Sequence, residues 1–148
     1  MHHTILCGHT GSTNRGCEAI VRSTAELLKE HSISVDIATF NKEEDLLAGL
    51  DCYGDLISYR GYQGKMSVQR LYNGAMKKIF HDEFPYERFR QRDVFKAVRA
   101  AGSAVVVGGD TYCYNRDAKL ISYNLNRYVQ RVGGKSFFLE LLNRCRAD

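Results

Sequence analysis

The 148-residue chain has a single proline, no tryptophan and no long apolar run, and these absences exclude several classes of protein. No segment approaches the roughly 20 apolar residues that span a bilayer. The amino terminus lacks a basic segment, a long apolar segment and a small-residue cleavage site, so it shows no export signal. There is no low-complexity tract, repeat or linker, and we expect residues 1–148 to form one domain of a cytoplasmic protein.

Paired cysteine and histidine motifs are also missing. The five cysteines form no C-x-x-C pair, and their odd number in a chain without an export signal favours reduced thiols. The five histidines are scattered and give no zinc-site spacing. We therefore expect no disulfide, no bound metal and no other cofactor.

Charge is unevenly distributed, although the total is only +4. Residues 60–99 contain ten Lys and Arg against four Asp and Glu, which gives +6 there and leaves −2 for the rest. Such a segment suits phosphate groups, an acidic glycan, nucleic acid or an anionic membrane surface. The simpler interpretation is a solvated helix face, because Lys and Arg are nearly always exposed.

Strand patterns and helix patterns alternate along the chain. Short β-branched or apolar runs predict strands at residues 4–8, 33–40, 55–59, 103–107 and 136–139. Helical spacing of apolar residues predicts helices at residues 17–31, 68–80, 86–101 and 121–132. The alternation indicates a Rossmann-like, doubly wound α/β fold with a mainly parallel sheet, and we expect the strand order 3-2-1-4-5.

The apolar positions also predict which side chains face the core. In the first helix these are Ile20, Leu27 and Leu28, with Asn14 or Thr13 as the cap. In the helix at residues 68–80, an apolar stripe that includes Ala75 and Ile79 is expected to be buried. In the helix at residues 86–101, the predicted inward side chains are Phe89, Phe95 and Val98.

A polar loop with several glycines follows the first predicted strand. Gly11 and Gly16 have P-loop spacing, but Cys17-Glu18 stands where that motif has Lys and Ser or Thr, which argues against ATP or GTP hydrolysis. The G-x-G-x-x-G fingerprint is missing and Asp36 lies within a strand, so a nicotinamide cofactor is disfavoured. The candidate substrate-binding residues are Gly11, Ser12, Thr13, Asn14, Arg15, Gly16 and Glu18.

Two features of this loop have simpler explanations. In the alternative interpretation, Ser12, Thr13 and Asn14 do no more than form a turn and cap the helix. A reactive Cys17 is one interpretation, since a position in the first helical turn favours a thiolate in general and His9 or His31 would then be its base. Neither spacing is a catalytic signature, and a buried, inert thiol is the preferred interpretation of Cys17.

A second loop follows the buried strand that ends at Val107. It offers a carboxylate, hydroxyls and aromatic faces, and this combination suits a sugar. Asp110 is a candidate general base or acceptor for a sugar hydroxyl, although an Asp after two glycines is also an ordinary turn residue. The further candidate substrate-binding residues of this loop are Gly108, Gly109, Thr111 and Tyr112.

Together the two loops resemble the polysaccharide pyruvyltransferase family. The matching residues are Asn14-x-Gly16-Cys17-Glu18-Ala19-Ile20 and the strand Val105-Val106-Val107 that runs into Gly108-Gly109-Asp110. Cys17 stands where many relatives have Asp. The resemblance spans residues 4–135 and implies half of a two-domain, glycosyltransferase-B-like architecture. Its implied reaction transfers a pyruvyl group from phosphoenolpyruvate to a sugar hydroxyl in surface polysaccharide biosynthesis.

The resemblance also implies partners. These are a sugar or glycan acceptor and, in the complete architecture, phosphoenolpyruvate as donor, with no nucleic acid. A peripheral membrane contact is left open. Members of the family are longer, so we expect a truncated chain that is inactive alone, with the donor-binding domain following Asp148. The alternatives are a non-catalytic or remnant carbohydrate-binding domain and an unrelated nucleotide-binding α/β enzyme.

Overall fold

A computed structural model gives the structure of the protein. It describes residues 2–60, 74–75, 78–79, 88–107, 124–125, 127–129 and 135–139, and only the backbone of the last range. Within these residues, no helix is both long enough and apolar enough to pass through a membrane.

Five parallel strands form one sheet in the order β3-β2-β1-β4-β5. The strands are β1 (His2–His9), β2 (Ile33–Thr39), β3 (Leu56–Ser58), β4 (Ser103–Val107) and β5 (Lys135–Leu139). The helices are α1 (Arg15–Glu30), α2 (Lys42–Leu47) and α3 (Arg92–Ala101), with a 3₁₀ turn at Leu50–Cys52. The predicted fold class and strand order are confirmed.

Helices cover both faces of the sheet, as expected for a doubly wound fold. On one face, Val21 and Ala25 of α1 pack against Leu6 and Ile37. On the other face, α3 packs together with helical residues near Tyr128. The side chains of this second cluster include Ile5, Val94, Phe95, Val98, Leu125, Tyr128 and Val129. The central strands are therefore buried on both sides, which explains their continuous apolar runs.

The predicted inward face of α1 is wrong at one position. Leu27 is 53% exposed, whereas Val21, Thr24 and Ala25 are buried. Val21, Ala25 and Leu28 follow i, i+4, i+7 spacing and form the stripe that faces the sheet. Leu27 precedes Leu28 by one residue, which turns it about 100° around the helix axis, to the edge of that stripe.

Phe89 is the second correction, because it is 59% exposed whereas Phe95 and Val98 are buried. Residues 88–90 are helical, but the helix is interrupted at Gln91, and α3 begins at Arg92. The side chain of Gln91 accepts from the Arg60 amide and donates to the Arg60 carbonyl, at 2.8 and 3.0 Å. Phe89 also lies nine positions before Val98, which is the opposite side of a regular helix, so helix geometry does not favour the inward position predicted for it.

The stripe predicted for residues 68–80 is described only in part. Ala75 and Ile79 are helical, as predicted, but both are exposed, Ile79 by 70%. We have no physical account of this exposure. The other members of the stripe lie outside the described residues, as do Ile121 and Val132 of the last predicted helix, whereas Leu125, Tyr128 and Val129 of that helix are buried.

Asp36 has a structural role in the middle of β2. Its carboxylate accepts from His3 Nε2 at 3.0 Å and from the Asp55 amide at 3.0 Å, so it ties β1 and the entry to β3 onto β2. Gly54 lies so close to the Val35 carbonyl that a Cβ there would overlap it. These contacts fix the approach to β3, and they engage both carboxylate oxygens of Asp36.

Candidate functional site

The candidate site lies where the strand order reverses. From β1 the chain continues to β2 on one side, whereas β4 pairs with β1 on the other side. Because all strands are parallel, the carboxyl ends of β1 and β4, His9 and Val107, lie at the same edge of the sheet. In open α/β sheets, ligands bind in the crevice at such a switch point. The first loop, residues 10–14, starts there.

A buried cluster anchors the first loop to α2. Asp45 Oδ1 accepts hydrogen bonds from Ser12 Oγ at 2.6 Å and from His9 Nε2 at 2.9 Å. The side chains of His9 and Asp45 are completely buried. Among the described residues, His9 Nδ1 and Asp45 Oδ2 have no hydrogen-bond partner. We call His9, Ser12 and Asp45 the anchor cluster, and it fixes the position of the loop.

Asp45 is a residue of the site that could not be identified from the sequence. It lies in the run Lys42-Glu43-Glu44-Asp45, which is typical of a solvated first helical turn, because acidic residues favour the positive end of a helix. No local signal marks Asp45 as buried, and its partners lie 33 and 36 residues earlier. Only the packing of α2 against the end of β1 identifies it.

Gly11 allows the loop to approach α2 closely. Its φ is +123°, a conformation that side chains other than glycine rarely adopt. A Cβ at Gly11 would lie 3.0 Å from Glu44 Oε2 and 3.4 Å from Asn41 Cβ. The close backbone approach at Gly11 is therefore an approach to α2.

Asn14 is the amino-terminal cap of α1. Its Oδ1 accepts from the amides of Gly16 and Cys17, at 3.1 and 3.3 Å. Free amides at the amino-terminal end of a helix are typical anion-binding groups, and here two of them bind the Asn14 side chain instead. Thr13, Asn14, Arg15 and Gly16 are exposed. The side chain of Thr13 and the end of Arg15 thus remain accessible to a ligand at this edge.

Glu18 is held between two arginines. Its carboxylate accepts from Arg22 Nε at 2.9 Å and from Arg15 Nη1 at 3.0 Å. These hydrogen bonds, that from Arg22 first, lower the pKa of Glu18 below its ordinary value and keep it ionised. Arg22 also donates to the Ala48 carbonyl just after α2. Glu18 therefore orients Arg22, which ties α1 to the end of α2.

Tyr59 lies beneath the turn at the end of β1. Its hydroxyl accepts from the Gly8 amide at 3.3 Å, beside the irregularity in the pairing of β1 with β2. Its ring stacks on Phe40, with centroids 4.5 Å apart. Burial raises the pKa of Tyr59 well above its ordinary value and raises the pKa of Cys7 to about 12. Both groups are therefore neutral, and they form the floor of the site.

Cys17 has the surroundings of an inert thiol. It is buried, and its sulfur accepts from Thr10 Oγ1 at 3.7 Å. His9 Nε2 is engaged with Asp45, and His31 caps the opposite end of α1, with its Nδ1 on the Leu27 carbonyl. Neither histidine is hydrogen-bonded to Cys17 in the described part of the chain.

The second loop is not among the described residues. The predictions for Gly108, Gly109, Asp110, Thr111 and Tyr112 therefore stay predictions. The structure does place Val107, the residue before them, at the carboxyl end of β4 beside β1.

Comparisons of the chain with models of known protein families, with curated proteins and with solved structures gave no significant match.

Proposed function

We propose that the chain is the acceptor-binding, amino-terminal domain of a cytoplasmic polysaccharide pyruvyltransferase-like protein. One observation carries the proposal. The two loops that resemble this family follow β1 and β4, which are paired neighbours whose carboxyl ends meet at the switch point of the sheet. Two segments that are about 90 residues apart in the sequence thus start from the same crevice.

The anchor cluster supports this assignment physically. Sugar binding requires a preformed surface, because ordering a loop costs about 1–2 kcal/mol of backbone entropy per residue. The bonds of Ser12 and His9 to Asp45 and the cap at Asn14 order the first loop without a ligand. Thr13 and Arg15 then offer a hydroxyl and a cation to sugar hydroxyls, or to an anionic group on the acceptor.

In this proposal Asp110 is the general base. A carboxylate at the end of β4 accepts the proton of a sugar hydroxyl as that oxygen bonds to C2 of phosphoenolpyruvate, whose methylene carbon takes up a proton; a second hydroxyl of the sugar then closes the ketal at C2 as the phosphate leaves. Transfer requires donor and acceptor to be held in near-attack geometry, which is worth up to about 7–11 kcal/mol of barrier. A single domain supplies one wall of such a cleft, so the 148-residue chain is expected to bind an acceptor without turnover.

The test uses the purified chain. We would incubate it with phosphoenolpyruvate and methyl glycosides of glucose, galactose and mannose, and measure phosphate release and pyruvylated product by mass spectrometry. Binding of each glycoside would be measured by calorimetry, with Asp110→Asn as the test variant and Asp51→Asn, at an exposed position, as its control. We expect binding that Asp110→Asn weakens and Asp51→Asn leaves unchanged. Absence of saturable binding, or stabilisation by nucleotides alone, would contradict the proposal.

A further inference from the structure

A groove with a strongly basic lining runs along α3 on the face of the sheet opposite α1. Its volume is about 480 Å³, within the range of sites that hold small ligands. Phe95 and Tyr128 line it together with Asp93. The cations of the lining are Arg88, Arg92, Lys96 and Arg99, and we call this site the basic groove.

Among the described residues that line the basic groove, cations outnumber acidic side chains. Among the described residues of the lining, Asp93 is the acidic one, and it pairs with Arg60 at 2.8 Å and with Arg92 at 3.6 Å. In the described part of the chain, Lys96 and Arg99 have no ion-pair partner. The described residues of the groove therefore carry an excess of positive charge that an anion would neutralise.

Three of the cations form a stripe along α3. Arg92, Lys96 and Arg99 are at positions i, i+4 and i+7 of α3, so they lie along one side of the helix over about 10 Å. Like charges at this spacing destabilise a helix by a few tenths of a kcal/mol per pair. The stripe thus weakens α3 in the absence of a partner, and a chain with regularly spaced anionic groups would remove that repulsion.

The aromatic lining argues against single-stranded nucleic acid. Binding of single strands relies on open aromatic faces on which bases stack. Tyr128 is only 6% exposed, and the Arg88 guanidinium lies over its ring at 5.7 Å from the centroid. Amphipathic membrane binding inserts an exposed apolar face, whereas the aromatic rings of the groove, Phe95 and Tyr128, are buried. Carboxylates match the planar guanidinium groups of Arg92 and Arg99.

The groove begins at the same edge of the sheet as the first loop. Gln91, just before α3, is hydrogen-bonded to the backbone of Arg60, which follows the carboxyl end of β3. An extended molecule bound at the switch point could therefore continue along α3.

We propose that the basic groove binds the carboxylate groups of an acidic polysaccharide, with Arg92, Lys96 and Arg99 as the pairing cations. The choice of a glycan rests on the proposed function, and it adds that the acceptor chain is anionic. The binding itself depends only on the charge and shape of the groove.

The experiment measures binding of an oligogalacturonate, a chain of uronic acids, by calorimetry at low ionic strength, with a neutral maltooligosaccharide of equal length as reference. We expect the oligogalacturonate to bind and the neutral chain not to bind at this site. Lys96→Gln and Arg99→Gln should each weaken binding about fivefold, as expected for an exposed charge pair. Lys29→Gln, at an exposed position of α1 on the opposite face, is the matched control and should leave the Kd unchanged.

Three outcomes would overturn the proposal. The first is that neither groove variant changes the Kd for the oligogalacturonate, and the second is that Lys29→Gln weakens binding as much as the groove variants do. The third is that oligothymidylate or phosphatidylserine vesicles bind as tightly as the oligogalacturonate and that this binding depends on Lys96. Circular dichroism of the variants excludes unfolding as the cause of a loss. The assay contains no phosphoenolpyruvate, so groove-dependent binding of the oligogalacturonate would stand even if the glycoside and transfer assays contradicted the proposed function.

Discussion

His9 Nε2 and Asp45 Oδ1 lie 2.9 Å apart between two completely buried side chains, and this contact joins the end of β1 to α2. Ser12 donates to the same oxygen at 2.6 Å, so the first loop is held by a carboxylate that comes from a different crossover of the fold. Buried polar groups of this kind stabilise a structure only when their bonds are made, and losing one partner is costly.

Asp45→Ala should lower the free energy of unfolding by about 2–4 kcal/mol, because the donors of His9 and Ser12 would stay buried without an acceptor. Asp45→Asn keeps an oxygen acceptor and should cost less. Urea denaturation measures both changes, with Asp51→Ala at an exposed position as control. A cost of Asp45→Ala no larger than that of the control would show that the anchor cluster does not hold the loop.

Gly11→Ala should destabilise the protein by about 1–3 kcal/mol, because alanine is strained at a φ of +123° and its Cβ would meet Glu44. Gly16→Ala is the matched control. Gly16 has ordinary helical geometry, and a Cβ there would make only an ordinary contact with Asn14, so this change should be neutral or stabilise the helix by up to about 1 kcal/mol. Thermal unfolding compares the two variants. Equal effects would contradict the special position of Gly11.

Stability should fall at alkaline pH. The pKa of Cys7 is raised from 9.0 to about 12, and burial also raises that of Tyr59, so the folded state holds these protons more tightly than the unfolded state. The contribution of Cys7 is complete below pH 9 and is lost as the pH rises toward about 12, whereas that of Tyr59 declines only above its ordinary pKa of 10.0. Urea titrations across this range measure the loss.

Cys7→Ala should make that decline shallower, since it removes one of the two groups. In a second measurement, iodoacetamide should alkylate the exposed Cys52 and leave the buried Cys7 unmodified in the folded protein. An equal rate of modification at the two thiols would contradict the buried position of Cys7.

Arg22→Gln should raise the pKa of Glu18 toward its ordinary value of 4.5, because the hydrogen bond from Arg22 is the largest cause of its lowered pKa. The lowered pKa means that Glu18 contributes stability above its ordinary pKa, and this is lost as the pH falls through the folded value. Carbon-detected NMR titration of the Glu18 carboxyl measures the shift. Arg60→Gln, which breaks an ion pair on Asp93, should leave it unchanged.

The sheet could be predicted from the sequence because its signals are local. A run such as Val105-Val106-Val107 is apolar on both faces, as a central parallel strand requires, and helical patterns separate the strands. The cap at Asn14 follows equally from local chemistry. These features depend on residues within a few positions of each other.

The anchor cluster and the floor of the site could not be predicted in the same way. Asp45 and Tyr59 contact residues 33 to 51 positions earlier, and nothing in their own segments distinguishes them from surface or strand residues. The inward positions predicted for Leu27 and Phe89 are wrong, because both side chains are exposed. The orientation of α1 and the interruption at Gln91 depend on tertiary contacts, which periodicity does not report.

The central claim is that a sugar binds at the switch point between β1 and β4. Its most direct test is two-dimensional amide NMR of the chain during titration with methyl glycosides of glucose, galactose and mannose. The account predicts that at least one glycoside shifts signals concentrated at residues 10–16 and 108–112. Shifts confined to the opposite edge of the sheet, near His31 and Gly102, or no saturable shifts with any of the three, would contradict it.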